Sequence, residues 1–382
     1  MAQKTQAAGE GPQNERRTAL HFTLFFVVII TVWTAMHAYV FWRAASVPFV
    51  ARHVPVWAIV AFAAALWASF FAGHLLPGPK WLTFLLERVG NYWVGALFLM
   101  LVALVAVDVI TGFGFFFKSH APELRGWGLV AAGGLMTIAL VQGLRAPVVR
   151  DYDVTIAGLP PHADGMRIVG LSDLHLDGML DENWAASRVA QANALKGDLI
   201  VVVGDVADGR MDAGAEDRAA AALRKLYAPL GVWAVFGNHE TYAGTDWSAG
   251  FFEKSGLKLL GDQWVEIRPG LILAGIRDLG DVHKTLAGRP EGMPAILLAH
   301  RPAAARAAAR EGAALTLSGH THGGQIWPFA YIVGAMNDGK IAGRYDVDGM
   351  PLILCRGTGT WGPRIRLWYP GEILRVTLHD NR

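Results

Sequence analysis

Five short motifs in the second half of the chain set metal-binding residue types at the ends of apolar, strand-like runs. They are Asp173 and His175 in SDLHLDG, Asp205 in GDVAD, Asn238 and His239 in GNHE, His300 in LLAHRP, and His320 and His322 in GHTHGGQ. Carboxylate, imidazole and amide donors suit Mn, Fe, Zn or Ni. The two-residue step from Asp173 to His175, read on an extended strand end, points both donors to one side and Leu174 into the core. Gly204 lets the backbone turn sharply and brings Asp205 into the open, where its two oxygens suit a bridge between two ions. Any one of these motifs is common by chance. The ordered set is not, because burying so many ionisable groups without cations would be costly. It predicts a dinuclear metal site with hydrolytic chemistry.

Such a site needs strands that end at one edge of a sheet, where α/β folds gather their functional residues. Runs such as DLIVVVGD, GVWAVFG, LILAGI, PAILLAH, ALTLSGH, PLILCRG and EILRVTL alternate with Ala-rich helical stretches, which predicts an α/β domain over residues 165–382. The first part of the chain differs. Four apolar stretches, about Leu20 to Trp42, Val54 to Leu76, Tyr92 to Phe116 and Trp127 to Leu144, approach or exceed the roughly 20 residues that cross a bilayer. The expected organisation is therefore a polar tail over 1–18, a four-helix transmembrane region over 19–145, a linker over 146–164, and the α/β domain. Across 382 residues, 53% hydrophobic and 17% charged content with a mean hydropathy of +0.31 exceeds what an ordinary soluble protein carries. A net charge of +2 without a basic, aromatic-interleaved run gives nucleic-acid binding no support. Asp108, in VALVAVDVITG, is an expensive ionisable group within a span; an interhelical hydrogen bond or snorkelling explains it more simply than a functional role. The single cysteine, Cys355, reads as a buried structural thiol.

The motif series resembles the calcineurin-like metallophosphoesterase superfamily, whose DxH, GDxxD, GNHD/E, lone His and GHxH elements are matched in order over about Met166 to Gln325. GHTHGGQ, RGTGTWGPRIR and PGEILRVTL look like its bacterial membrane-associated phosphodiesterase branch. The resemblance implies a four-layer α-β-β-α sandwich. It also implies two divalent ions: Asp173, His175, Asp205 and His322 on one, and Asp205, Asn238, His300 and His320 on the other. Two ions about 3.5 to 4 Å apart hold a water as hydroxide near neutral pH and clamp the phosphoryl oxygens of an in-line displacement. By the same resemblance His239 is the general acid for the leaving oxygen. Glu240 is expected to orient His239 or to form a surface salt bridge, and Asp208 to fix a histidine tautomer.

The expected function is a membrane-anchored phosphodiesterase acting on a phosphodiester or pyrophosphate bond, with a lipid-linked substrate favoured by the anchor. The nearest branch includes enzymes that cleave UDP-2,3-diacylglucosamine in lipid A synthesis, which gives a narrower alternative. Trp247, Phe251, Phe252, Trp327, Phe329 and Tyr331, close to the motifs in sequence, are candidates for an aromatic rim or for core packing. The expected partners are the bilayer and this substrate, with no nucleic acid and no obligate protein partner. Lys4, Arg16, Arg17, Lys80, Arg88, Arg145 and Arg150 on one side, against Arg43, Arg52, Lys118 and Arg125 on the other, favour a multi-pass inner-membrane protein with a cytoplasmic catalytic domain. A sensor that binds a phosphorylated ligand without turnover, or a transporter with an appended domain, is the competing class. Retention of Asp205, Asn238 and His239 argues against the first, and the scarcity of polar or broken helices against the second.

Overall fold

The computed structural model describes residues 12–75, 79–177 and 179–381. The chain divides into two compact units, Met1–Met136 and Thr137–Arg382.

In the first unit the helices are α1 (Pro12–Ala45), the short α2 (Pro48–His53), α3 (Val56–Leu75), α4 (Lys80–Ile110) and the start of α5 (Ala121–Leu144). α1, α3, α4 and α5 are each long and apolar enough to cross a membrane. Their bounds refine the sequence expectation. α4 begins well before Tyr92, because nothing between Lys80 and Asn91 breaks a helix. It ends at Ile110 rather than Phe116, because Gly112 and Gly114 take φ of +55° and +89° and turn the backbone out of the helix. Leu76, the expected end of the second span, lies outside the described residues. His37 is a packing residue: its Nδ1 lies 2.8 Å from the Trp33 carbonyl and its Nε2 accepts from the Trp93 indole at 2.8 Å. Asp108 is fully buried and joins three helices. Its oxygens take the Tyr39 hydroxyl at 2.6 Å, Arg43 Nε at 2.6 Å, and Arg125 Nε and Nη2 at 3.0 Å. The interhelical explanation of Asp108 therefore holds.

The second unit contains two six-stranded sheets. The strands in chain order are β1 (Val148–Ile156), β2 (Arg167–Leu171), β3 (Leu199–Val203), β4 (Val232–Val235), β5 (Lys258–Leu259), β6 (Gln263–Arg268), β7 (Leu271–Gly275), β8 (Ala295–Leu298), β9 (Leu315–Ser318), β10 (Gly343–Val347), β11 (Met350–Leu354) and β12 (Glu372–Asp380). One sheet has the order β1-β12-β2-β3-β4-β5, the other β10-β11-β9-β8-β7-β6. The helices are α6 (Glu182–Ala194), α7 (Ala213–Leu223), α8 (Asn238–Ala243), α9 (Thr245–Lys254), α10 (Val282–Leu286), α11 (Ala305–Arg310) and α12 (Phe329–Met336).

The strand period of two builds the layers. In β3, Leu199, Val201 and Val203 face a core between the sheets, where Leu273, Ile296, Leu298 and Leu317 of the other sheet meet them. The alternate residues Ile200 and Val202 face outward and pack with side chains of α6, α7 and α9. In β8, Ile296 and Leu298 point inward, while Ala295 and Leu297 pack with α10 and α11. The result is the four-layer sandwich.

One boundary is corrected. The residues expected to be a linker contain β1, which pairs in parallel with all nine residues of β12. The run VVRDYDVTI alternates charged residues with Val154 and Ile156, which are buried in the core between the sheets, as an edge strand does. Its charges make it look like a linker because its partner lies more than 220 residues away.

Candidate metal centre

Five parallel strands deliver the motif residues. Asp173 and His175 follow β2, Asp205 follows β3, Asn238 and His239 follow β4, and these three strands are adjacent in one sheet. His300 follows β8, and His320 and His322 follow β9, neighbours in the other sheet. The carboxyl ends of both sheets thus feed one cluster.

The local backbone differs from the extended strand end expected for Asp173 and His175. Both are left-handed, with φ of +52° and +47°, as are Asp205, His320 and His322 at +53°, +77° and +51°. Left-handed backbone costs non-glycine residues about 1 kcal/mol each, and the tight hairpin of each loop is what turns donors from neighbouring strands toward a common point. Leu174 is buried as expected. Gly237 is required by proximity: a Cβ there would sit 2.1 Å from Asp205 Oδ1.

Two donor groups form, sharing a centre. In the first, His322 Nε2 lies 3.3 Å from Asp173 Oδ1 and 3.0 Å from His175 Nε2, and His175 Nε2 lies 3.8 Å from Asp205 Oδ2. Two imidazole nitrogens aimed at one spot suit a cation between them. In the second, His300 Nε2 lies 3.0 Å from Asp205 Oδ2, and one donor atom each of Asp205, His300 and His320 lie within 4.8 Å of one another. Asn238 is buried at the start of α8, just after β4, next to His239, whose backbone N–H donates to Asp205 Oδ1 at 2.9 Å.

The donor set fits a pair of cations on observations of its own. Asn238 Oδ1 is buried without a hydrogen-bond partner among the described residues, which a native interior rarely tolerates. His300 donates Nδ1–H to the Val203 carbonyl at 2.7 Å, which turns Nε2 toward Asp205. The electrostatics carry the same demand for positive charge. Burial alone would discharge His300, but Asp205 and Asp173 outweigh it and push its pKa up to about 10. Burial also works against the Asp205 carboxylate, yet His300, His175 and His239 hold it far below the usual range. Burial raises Asp173. His320, buried and facing His300 and Arg301, falls to about 4, and His322 falls well below its ordinary value through burial and the nearby His175 and Arg366.

Asp208 ties the two loops together. Its carboxylate meets His175 Nδ1 at 2.9 Å and His239 Nδ1 at 2.8 Å, fixing both rings. Burial opposes a charge on His239, but Asp208 and Asp205 overcome it and push its pKa up to about 9. Glu240 does neither thing expected of it. It is buried and accepts the backbone N–H groups of Asp205 at 2.8 Å, Val206 at 2.7 Å and Gly237 at 2.7 Å. It therefore laces the loop after β3 to the loop after β4. The reason is local: Glu240 stands one turn into α8 and can reach back to the open N–H groups that precede it.

A positioning residue escaped the sequence reading entirely. Arg366 is among the largest fully buried side chains. Its guanidinium donates to the carbonyls of His322 at 3.3 Å, Tyr369 at 3.0 Å, Arg356 at 3.0 Å and Gly357 at 3.3 Å, and also to Gly359. The same segment, residues 356–371, bonds the first loop directly: Thr358 N–H donates to Ser172 O at 2.7 Å and Gly359 N–H to Asp173 O at 2.9 Å. Within this unit the segment also meets the end of α5, where Arg366 N–H donates to Ala139 O at 2.9 Å and Gln142 Oε1 accepts from Trp368 N–H at 2.9 Å. No signal but the burial of an arginine among glycines could have found it.

The two readings of the nearby aromatics divide between the residues. Phe251 and Phe252 are buried in the core beneath α9, and Trp247 stacks on Phe251 at 5.5 Å. Phe329 and Tyr331 are exposed on α12. Cys355 is fully buried, as read.

The chain is similar to known proteins over the region that carries this site. Residues 166–324 match the family model described as calcineurin-like phosphoesterase. A metallophosphoesterase of Aquifex aeolicus is 33% identical over 241 residues, covering 60% of this chain and 91% of that protein. One of Campylobacter jejuni is 31% identical over 262 residues, covering 65% and 67%. A zebrafish (Danio rerio) protein named for a transmembrane region with a metallophosphoesterase domain is 32% identical over 273 residues, covering 65% and 61%. With both sheets, the ordered loops and these relatives in agreement, the chain belongs to the calcineurin-like metallophosphoesterase family and is a membrane-associated, metal-dependent phosphoric ester hydrolase.

Proposed function

We propose that this protein hydrolyses a phosphodiester or pyrophosphate bond in a lipid-linked substrate. The observation that carries the hydrolytic step is the placement of His239 at the edge of the donor cluster. Its backbone N–H is fixed on Asp205 and its Nδ1 on Asp208, 2.9 and 2.8 Å away, so the ring edge left to act is Nε2. When bound, two divalent ions supply a water of lowered pKa and positive charge for the phosphoryl oxygens. Asp173, His175, Asp205 and His322 would hold one, and Asp205, Asn238, His300 and His320 the other. Manganese, iron, zinc and nickel all suit this mixture of oxygen and nitrogen donors.

The protein's own groups do the remainder. Asp208 orients His239 and stabilises its imidazolium, and His239 passes a proton to the leaving oxygen. Glu240 keeps the Asp205 and Asn238 loops at fixed separation, and the 356–371 segment holds the loop of Asp173 and the carbonyl of His322. Misplacement of any of these by about 1 Å costs on the order of 100-fold.

The lipid link rests on the four apolar helices. The cytoplasmic placement of the catalytic domain, in an inner membrane, rests on the basic residues flanking the spans. Two of the four opposing charges, Arg43 and Arg125, are consumed by Asp108, which leaves Arg52 and Lys118 exposed on that side. The purified protein with Mn²⁺ is expected to hydrolyse bis(p-nitrophenyl) phosphate, and Asp205→Ala to abolish this while remaining folded in detergent. Activity retained by Asp205→Ala would refute the shared role of that carboxylate. Membrane lipid extracts incubated with wild type and with His239→Ala, compared by mass spectrometry, identify the natural substrate as the species consumed only by the former.

A further inference from the structure

Two aromatic side chains outside the metal-ligand motifs meet His239. Tyr242, three residues on in α8, meets the His239 ring edge-on with centroids 5.7 Å apart, and Trp361 meets it at 6.5 Å. Both are open to solvent, at 72% and 59% exposure. The position of Trp361 is fixed. The side-chain amide of Gln325 clips the Trp361 peptide at both ends, with Nε2 donating to its carbonyl at 3.0 Å and Oε1 accepting from its N–H at 3.1 Å. Gln325 belongs to GHTHGGQ, so a residue beside the metal ligands in sequence is spent on holding an exposed ring next to the proton donor.

Large aromatic faces kept in water and gathered on a proton donor mark recognition rather than folding. We propose that Tyr242 and Trp361 are the walls of a leaving-group subsite, and that the group on the oxygen protonated by His239 carries a flat aromatic or heteroaromatic ring. The assignment builds on the phosphoesterase reading above. A ring suits these walls better than an acyl chain, because both walls are π surfaces, which pair with another ring by stacking or edge contact.

Binding measures this without turnover. Full-length, Mn²⁺-loaded protein in detergent is titrated calorimetrically with methylphosphonate, n-hexylphosphonate and phenylphosphonate. In wild type, phenylphosphonate is expected to bind about tenfold tighter than methylphosphonate, the equivalent of ~1.4 kcal/mol. The ratio is expected to fall to about two in Trp361→Ala, to recover in Trp361→Phe, and to fall in Gln325→Ala although the indole is retained. Equal binding of the phenyl and methyl compounds by wild type overturns the subsite. Hexylphosphonate binding as tightly as phenylphosphonate overturns the ring in favour of a chain. Failure of methylphosphonate to bind at all marks instead the failure of the phosphoryl site itself, and the subsite falls with it.

Discussion

Each of the two units buries carboxylate among nitrogen donors, and the two do so to opposite ends. In the membrane unit, Asp108 is surrounded by Arg43, Arg125 and Tyr39 at 2.6 to 3.0 Å, with Arg125 and Tyr39 donating hydrogen bonds to its oxygens and Arg43 paired by charge. The guanidinium groups carry permanent charge, so the cluster is complete in itself. In the catalytic unit, Asp173 and Asp205 face imidazoles instead. These nitrogens face one another, as at 3.0 Å between His175 and His322, and the buried Asn238 Oδ1 has no hydrogen-bond partner among the described residues. The same carboxylate, given arginine, makes a staple; given histidine and asparagine at converging angles, it makes a receptor for cations. Coordination chemistry is thus encoded in which cation the chain withholds.

That contrast can be strained at three points. The largest effect is expected from Arg366→Met, which removes the donor to five carbonyls around the first donor group while leaving every ligand in place. Such supporting contacts are worth about 10- to 100-fold in metal affinity. Titration of the metal-free protein with Mn²⁺ reads it, and unchanged affinity would deny the segment 356–371 its positioning role. Next, Asp108→Asn strands two buried guanidinium groups in the membrane unit and should lower stability by about 3 kcal/mol. Thermal unfolding in detergent measures this, with hydrolysis per folded molecule held within about twofold, because none of the metal donors belongs to that cluster. An unaltered unfolding temperature would show that the staple is not one. The smallest effect belongs to Cys355→Ala. The thiol is buried and inert, so activity should stay within about twofold and the lost packing should cost about 1 kcal/mol. A large loss of activity would give the cysteine a role that its surroundings do not.

The legible part of the molecule was that in which neighbours in sequence are also neighbours in effect. An apolar run such as LIVVV followed by Gly204 and Asp205 announces strand, turn and ligand within seven letters, and the four spans are written in hydropathy alone. The donors were therefore readable as a set. What they lean on was not. Arg366 binds backbone carbonyls, and no side-chain pattern records a carbonyl's direction. Glu240 looks like a surface acid in GNHETYAG because its partners are the N–H groups of two loops, one of them more than 30 residues upstream. β1 reads as a charged connector because its pairing partner is the last strand of the chain. Phe251 and Phe252 stand close to the GNHE motif in sequence yet turn into the core, while Trp361, 122 positions beyond His239, is the ring that reaches it.

Metal stoichiometry, with the positions of the ions, tests the central claim most directly. Anomalous diffraction from crystals grown with Mn²⁺, alongside elemental analysis of the same preparation, is expected to show two ions per chain about 3.5 to 4 Å apart, with Asp205 touching both. A single ion, or two ions held away from Asp205, would contradict the account.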